Sequence, residues 1–233
     1  MGYCVYYYKA GQYLRELTML KVDYFSDVLC VWAFINEKRL TEVELQLGSE
    51  LDINLQYLPN FASVHPKIDA GWKDRGGFEG YADHAKEVAE QFDIVLHDDT
   101  WTKVRPTTSM TAHACLKSVQ AVHGQAIARK YSSALREAFF LNAKDISLVS
   151  ECEIVAKSLG IDCKPVRAYL ETGQAYSDLN LDFQNAVNYQ ISVSPAWVFN
   201  EGRQKLIGNV GYRVIEANLK ELIQAEPLKQ NWC

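Results

Sequence analysis

The stretch Ser26-Asp27-Val28-Leu29-Cys30-Val31-Trp32-Ala33 joins an apolar segment, Leu20 to Phe25, to a run of residues with helical apolar spacing. The first segment predicts a short β-strand, and Leu40 and Leu47 mark the inner face of an amphipathic helix. Unpaired backbone N–H groups and the helix dipole stabilise an anion at such a junction. The pKa of Cys30 is therefore expected to be lowered, which makes this thiol a candidate nucleophile. The alternative is an ordinary buried thiol.

A second informative stretch lies near the other end of the chain. Ile191 to Asn200 is rich in β-forming residues and contains Ser194-Pro195, and a proline that leads into a strand marks an edge or a special turn. Glu201-Gly202 then predicts a turn into a strand over Gln204 to Ile207, and Gly211 to Ile223 predicts a helix. The pattern indicates a hairpin followed by a closing helix.

Between these stretches the sequence predicts a helical insertion. A strand over Asp52 to Tyr57 follows the first helix, and apolar residues at helical spacing then recur throughout Lys67 to Gln190. Gly160 and Gly173 are expected just beyond helix ends. The glycine-rich segment Asp69 to Gly77 is expected to be a loop.

This order of elements resembles the DsbA family of thioredoxin-like proteins. The family pattern D-x-x-C-P-W-C-Y is similar to Asp27 to Phe34, and the pattern G-V-P-T-F-V-F is similar to Val193 to Phe199. The resemblance is strongest to the cytosolic FrnE-like branch, the 2-hydroxychromene-2-carboxylate isomerases and the kappa-class glutathione transferases. It implies an α/β, thioredoxin-like fold with a large inserted all-helical domain. The implied division is an N-terminal extension over 1–18, a thioredoxin-like domain over 19–66 and 191–233, and the insertion over 67–190.

Two residues depart from the reactive motif of that family. Ala33 stands in place of the second cysteine of C-x-x-C, so Cys30 has no resolving thiol within the motif and the usual dithiol cycle cannot close there. Val31 replaces the family's proline and adds a backbone N–H at the helix start. The isomerases and kappa transferases usually carry serine at the position of Cys30. The chain thus keeps the attacking thiol and lacks its resolving partner.

The resemblance also implies a set of site residues. Cys30 is the catalytic residue, and the Ser194–Pro195 bond is expected to be cis and to face the thiol. A polar pair of the family that faces the cleft corresponds to Thr108 and Ser109, although either hydroxyl could simply cap the following helix. The residues expected to bind substrate or thiol are Val31, Trp32, Ala33, Thr108, Ser109, Ser194 and Pro195.

Composition restricts the partners and the compartment. Lys and Arg number 24 against 29 Asp and Glu, a net charge of −5, so no basic surface for nucleic acid is expected, and no apolar run approaches a membrane span. Residues 1–18 lack the features of a signal peptide. Because Met19 directly precedes the first strand, residues 1–18 are expected to be an extension upstream of a start at Met19, and the alternative is an extra helix or strand on the sheet edge. The cysteines and histidines lack metal-ligand spacing, and Cys115 and Cys152 are expected in the core. We expect a cytoplasmic protein without a metal, and a homodimer is left open.

Two functions fit these observations. The first is a thiol-disulfide oxidoreductase acting as a monothiol, in which Cys30 forms a mixed disulfide that glutathione resolves. The alternative is a glutathione-dependent isomerase or transferase, in which Cys30 orients the glutathione sulfur without being oxidised. Gly208-Asn209-Val210 lacks the acidic residue of the corresponding kappa-class turn, which weakens the alternative. In both, glutathione is a co-substrate and no cofactor is tightly bound.

Overall fold

A four-stranded mixed sheet forms the centre of the computed structural model, which describes residues 19–224. The strands are β1 (Leu20–Ser26), β2 (Leu51–Tyr57), β3 (Ala196–Phe199) and β4 (Gln204–Ile207), in the order β2-β1-β3-β4. β1 and β2 run parallel, whereas β3 runs antiparallel to both β1 and β4. Where the sequence predicted both ends of a strand, the observed ends agree with them to within one residue. The predicted extension, residues 1–18, lies outside the described residues.

Nine α-helices surround this sheet in the described part of the chain. They are α1 (Val31–Leu47), α2 (Val64–Gly71), α3 (Gly77–Glu90), α4 (Met110–His123), α5 (Gln125–Phe140), α6 (Val149–Ser158), α7 (Cys163–Glu171), α8 (Gln174–Asn188) and α9 (Tyr212–Gln224). Helices α2 to α8 all lie between β2 and β3 in the sequence. The predicted α/β fold with a helical insertion is therefore confirmed, while the numerical domain boundaries stay a prediction.

The strands that support the thiol are buried where they lie next to it, because Tyr24 to Ser26 of β1 and the whole of β3 are buried. All four residues of β3 are buried, and its Trp197 pairs with Tyr24 of β1, where the rings meet edge to face at 4.9 Å between centroids. Aromatic and β-branched side chains favour such strands because they pack well on a pleated surface. β1 and β3 thereby hold the start of α1 and the Ser194–Pro195 segment at the same end of the sheet.

Buried charge also fixes the orientation of α1. The guanidinium of Arg136, on α5, donates to Glu37 of α1 at 2.7 Å and to the hydroxyl of Ser26 at 2.7 Å. Arg129 donates to the other oxygen of Glu37 at 2.6 Å. Removing the carboxylate or one of its guanidinium partners is costly, because the groups that remain are buried charges with a partner missing. These bonds tie the helix that begins after Cys30 to both the sheet and the insertion.

Two predictions about the insertion were wrong. The segment Asp69 to Gly77 is largely helical, since α2 reaches Gly71, Lys73–Arg75 form a turn of 3₁₀-helix and α3 begins at Gly77. Residues 91–109 contain no α-helix, although helix was expected throughout. That segment instead brings Trp101 into the core, where its ring packs on Phe61, Tyr81 and Phe139.

Candidate active site

Cys30 occupies the N-cap position of α1. Its backbone is extended, with φ −82° and ψ 118°, and its carbonyl accepts the first helical hydrogen bond from Phe34. The thiol lies 3.4 Å from the carbonyl oxygen of Ser194 and donates to it. The Ser194–Pro195 bond is cis. The residue is 8 % exposed, so only a small part of its surface is open to a reaction partner.

The environment of the Cys30 sulfur has opposing effects on its pKa. Burial raises the pKa above its ordinary value of 9.0, and the nearby charge of Asp27 adds to this rise. The contact with Ser194 and the backbone N–H groups of Ala33 and Trp32 act in the opposite direction. Because burial is the largest of these effects, the predicted lowering of the pKa was wrong. The helix start does point N–H groups at the sulfur, but it does so inside the core.

Asp27 is a fully buried carboxylate with several donors around it. One oxygen accepts the backbone N–H of Leu29 at 2.9 Å. The other oxygen accepts the N–H of Phe61 at 2.8 Å and the hydroxyl of Ser109 at 2.9 Å. The N–H of Asp27 itself donates to the hydroxyl of Ser194 at 2.9 Å. The Asp27 side chain thus connects the turn before the thiol, the loop after β2 and the start of α4, and its backbone N–H adds the segment before β3.

His113 completes this buried group from α4. Its Nε2 accepts the backbone N–H of Val28 at 3.1 Å, which assigns the proton to Nδ1, and it lies 3.9 Å from Asp27. Burial, with the charges of Arg136 and Lys117, lowers the pKa of His113 to about 3. Burial raises the pKa of Asp27 to about 6. The imidazole is therefore largely neutral around the pH at which the carboxyl changes its charge.

The structure brings the predicted site residues to the thiol, but several cannot touch a substrate through their side chains. Ala33 is fully buried and Val31 is buried, so of the motif residues after Cys30 only the half-buried Trp32 has exposed side-chain area. Their side chains pack in the core, and of these two residues only Ala33 has its backbone N–H close to the sulfur. Their role in binding stays a prediction, which could involve the backbone but not an exposed side chain.

The two hydroxyls before α4 also differ from expectation. Ser109 is fully buried at the N-cap of α4, yet its hydroxyl donates to Asp27 and makes no capping bond. Thr108 is half-buried and accepts the N–H of Met110 at 3.0 Å. The hydroxyl of Ser109 therefore points at Asp27 and not at the end of α4, and its expected contact with substrate or thiol stays a prediction that this burial disfavours. Its role is to hold Asp27 in place.

Residues outside the predicted set contribute to the site as well. Asp27 stood within the matched motif but carried no predicted role, and His113 and Phe61 were not predicted to contact the turn. A fully buried carboxylate is costly unless hydrogen-bond donors surround it. An aspartate expected to be buried before the reactive cysteine therefore indicates that donors from other parts of the chain will surround it. Only the fold shows which residues supply them.

Other kinds of site find no support in residues 19–224. No group of three or more His, Cys, Asp or Glu side chains there is arranged to hold a metal ion. None of the helices described there has the length and apolar character needed to cross a membrane. A surface cleft of about 530 Å³ lies beside β2 between Glu44 and Lys130 and contains none of the residues around Cys30.

Comparisons with known proteins agree with this fold. A curated relative, the ClpXP adapter protein SpxH of Halalkalibacterium halodurans, is 25% identical over 224 residues, which cover 91% of this chain and 70% of the relative. A Nitrosomonas europaea protein proposed to be a protein disulfide isomerase has a TM-score of 0.73 at 15% identity, with 92% of this chain and 100% of that chain covered. The cytosolic disulfide reductase DsbM of Pseudomonas aeruginosa has a TM-score of 0.68 at 16% identity, covering 87% and 100%.

A 2-hydroxychromene-2-carboxylate isomerase is also similar in structure, with a TM-score of 0.62 at 16% identity and coverage of 87% and 96%. At such identities the solved structures establish the fold alone. The family model of the DSBA-like thioredoxin domain matches residues 21–220, nearly the whole of the described chain. The protein therefore belongs to the DSBA-like thioredoxin domain family.

Proposed function

We propose that the protein is a monothiol thiol-disulfide oxidoreductase that acts through Cys30 and uses glutathione as the resolving thiol. The observation that carries this proposal is the pairing of a helix-start thiol with the cis Ser194–Pro195 segment, while Ala33 fills the position of a resolving cysteine. A single thiol at this place can form a mixed disulfide but cannot release it by itself. The second thiol must therefore come from another molecule or from elsewhere in the chain.

None of the other described thiols is bonded to Cys30, whose thiol contacts Ser194. Cys115, Cys152 and Cys163 are carried by α4, α6 and α7, and α6 and α7 pack on α4. Cys4 and Cys233 lie outside the described residues. Glutathione is the simplest external candidate, and DsbM, which shares the fold, has been solved with GSH. We place the reaction in the cytoplasm, where glutathione keeps thiols reduced.

The proposed reaction consists of two thiol exchanges. In the first, the Cys30 thiolate attacks the glutathione sulfur of a glutathionylated substrate. A disulfide forms between Cys30 and glutathione, and the substrate leaves as a thiolate that takes up a proton. In the second, the thiolate of free glutathione attacks the glutathione sulfur bound to Cys30, which restores the Cys30 thiol and releases oxidised glutathione. The backbone N–H groups of Trp32 and Ala33 stabilise the thiolate form in both exchanges.

Turnover of a glutathionylated peptide with free glutathione tests this proposal. We expect Cys30→Ser to reduce the rate to that of the uncatalysed exchange, while Cys163→Ser, a matched change of a half-buried thiol on α7, keeps the parent rate. Because burial raises the pKa of Cys30 above 9.0, the rate should continue to rise with pH beyond that value. Equal loss in both variants, or no loss in Cys30→Ser, would overturn the proposal.

The glutathione-dependent isomerase or transferase remains the second candidate. The observation in its favour is the raised pKa of Cys30, because a thiol kept protonated by burial can donate to the sulfur of bound glutathione without reacting. In that case a serine at position 30 would supply an equivalent donor. Cys30→Ser would then retain isomerase or transferase activity, which separates this candidate from the oxidoreductase.

A further inference from the structure

The outer edge of β2 can be read from its pairing with β1. The two strands run parallel, the N–H of Leu20 donates to the carbonyl of Glu50, and the N–H of Leu58 donates to the carbonyl of Ser26. In a parallel pair, alternate residues of each strand bond to the neighbouring strand. The even-numbered residues of β2 therefore bond to β1, and its odd-numbered residues turn their N–H and C=O groups outward.

Most of these outward groups have no partner within residues 19–224. The N–H of Tyr57 donates to the carboxylate of Asp182, on α8, at 3.0 Å. The backbone groups of Leu51, Ile53 and Leu55 make no hydrogen bond in that part of the chain. The same three residues line the cleft of about 530 Å³ beside β2. The unpaired edge therefore faces an open cleft.

The two edges of the sheet differ in their protection against added strands. β4, the opposite edge, has four residues and carries the exposed Lys205. Short strands and lysine both disfavour pairing with another strand. β2 has seven residues and contains neither Lys nor Pro. An unpaired edge of this length is a template for strand addition, so we expect a segment to cover it.

The shape of the cleft favours a single extended segment over a second copy of the protein. Its walls are the end of α1, with Glu44 and Gly48, and the start of α5, with Gln125 and Arg129. The edge of a second copy would lie between the same two helices. Two such edges meet helix against helix before their strands reach the spacing of about 4.8 Å. One strand alone can enter between the walls.

The chain itself supplies a segment directly before β1. Residues 1–18 precede the described part, and Leu20 pairs with Leu51 at the end of β2 that borders the cleft. The far side of β2 lies two strand spacings from β1, about 10 Å, which about three extended residues span. Residues 9–19 exceed this length and contain Gly11, which suits a turn.

The residues before that connection have the composition of a strand. Residues 3–8 are four tyrosines, one valine and one cysteine, without glycine, proline or charge. Aromatic and β-branched side chains favour strands because they pack well on a pleated surface. Six such residues extend about 20 Å, enough to follow β2 from Leu51 to Leu55. The phenol rings could also pack on the cationic side chains of Arg129 and Lys130, which line the cleft.

We propose that residues 3–8 bind the free edge of β2 as a fifth strand, antiparallel to β2, and pair with the backbone of Leu51, Ile53 and Leu55. The antiparallel direction follows from the connection, because it brings the end of the added strand close to the start of β1. The added strand closes the longer edge of the sheet. It lies outside the proposed chemistry of Cys30 and does not depend on it.

Amide hydrogen exchange of the full chain, resolved by residue with NMR, tests this pairing. The parent is compared with a strand variant that carries Val5→Pro and Tyr6→Pro. One of two adjacent residues in a strand must turn its N–H to the partner strand, and proline has none. We expect the amides of Ile53 and Leu55 to exchange at least about tenfold faster in the strand variant than in the parent.

Two controls separate loss of pairing from a general effect of proline. A connection variant with Arg15→Pro and Glu16→Pro should keep the slow exchange of the parent, because its prolines lie outside the added strand. The amides of Asn54 and Gln56, which bond to β1, should exchange at equal rates in all three proteins. Nuclear Overhauser contacts between the Cα protons of residues 3–8 and those of β2 should appear in the parent and vanish in the strand variant.

Three results would overturn the proposal. One is equal exchange of Ile53 and Leu55 in the parent and the strand variant. Another is faster exchange in both proline variants, which would mean that the effect is not specific to residues 3–8. The third is slow exchange that increases with protein concentration and accompanies a dimer in light scattering, because a second copy would then cover the edge.

Discussion

Replacing Asp27 with Asn should change the pH dependence of the free energy of unfolding, and the direction follows from the structure. The pKa of this carboxyl rises from 3.8 to about 6 on folding because the group is buried. Between these values the folded chain holds a proton that the unfolded chain has lost. The contribution of Asp27 is therefore fully present below about pH 4 and is lost as the pH rises through about 6, at about 1.4 kcal/mol per pH unit and about 3 kcal/mol in total.

His113 has the opposite effect in the same pH range. Its pKa falls from 6.5 to about 3 on folding, so the unfolded chain binds a proton that the folded chain does not. Its contribution is present above about pH 6.5 and is lost as the pH falls toward about 3, again at about 1.4 kcal/mol per pH unit. In the parent protein the contributions of Asp27 and His113 largely cancel between about pH 4 and about pH 6. Replacing either side chain should therefore reveal the pH dependence of stability that the other one causes.

Urea unfolding of the parent, Asp27→Asn and His113→Asn between about pH 4 and about pH 6 measures these slopes. Relative to the parent, Asp27→Asn should gain about 3 kcal/mol of stability from the lower to the upper pH, and His113→Asn should lose a similar amount. Other buried groups that titrate here, such as Asp182 with its pKa raised to about 6, are common to all three proteins and cancel in the differences. Parallel curves for the three proteins would refute the assignment of charge in this buried group.

Three further substitutions test the geometry around the thiol. Ala33→Cys should form a disulfide with Cys30 and gain dithiol activity, visible by mass spectrometry without reduction and by insulin reduction, because it restores the resolving position at the helix start. Ser194→Ala removes the acceptor of a buried backbone N–H and should lower the free energy of unfolding by about 2 kcal/mol, whereas Ser192→Ala on the exposed neighbour should have little effect. Arg136→Met leaves a buried carboxylate without this partner and should cost about 3 to 5 kcal/mol in urea unfolding.

The elements that position the thiol could be predicted from sequence because their signals are local. The apolar strand before Cys30, the helix after it and the turn at Glu201-Gly202 each depend on residues close in the chain, and the structure confirms all three. The helical insertion was predicted for the same reason. Its non-helical part failed because Trp101 packs against residues distant in sequence, and a periodicity of apolar residues cannot reveal that.

The chemistry of the site was harder to predict because it depends on burial. A position at the start of a helix indicated a lowered pKa for Cys30, but only the tertiary structure shows that the thiol lies in the core, where desolvation reverses the direction. Ser109 illustrates the same difficulty. Its place before a helix predicted a cap or a substrate contact, whereas its hydroxyl serves Asp27, which lies 82 positions earlier in the sequence.

Residue-resolved mass spectrometry of the native parent protein after a short exposure to oxidised glutathione tests the central proposal most directly. It compares the fraction of glutathione on each cysteine with that in Cys30→Ser, and it follows release by reduced glutathione. The proposal predicts a mixed disulfide on Cys30 that forms in the parent, is lost rapidly when reduced glutathione is added and is absent from the variant. A Cys30 thiol that stays free while other cysteines carry glutathione, or an adduct on Cys30 that reduced glutathione does not release, would contradict a monothiol oxidoreductase.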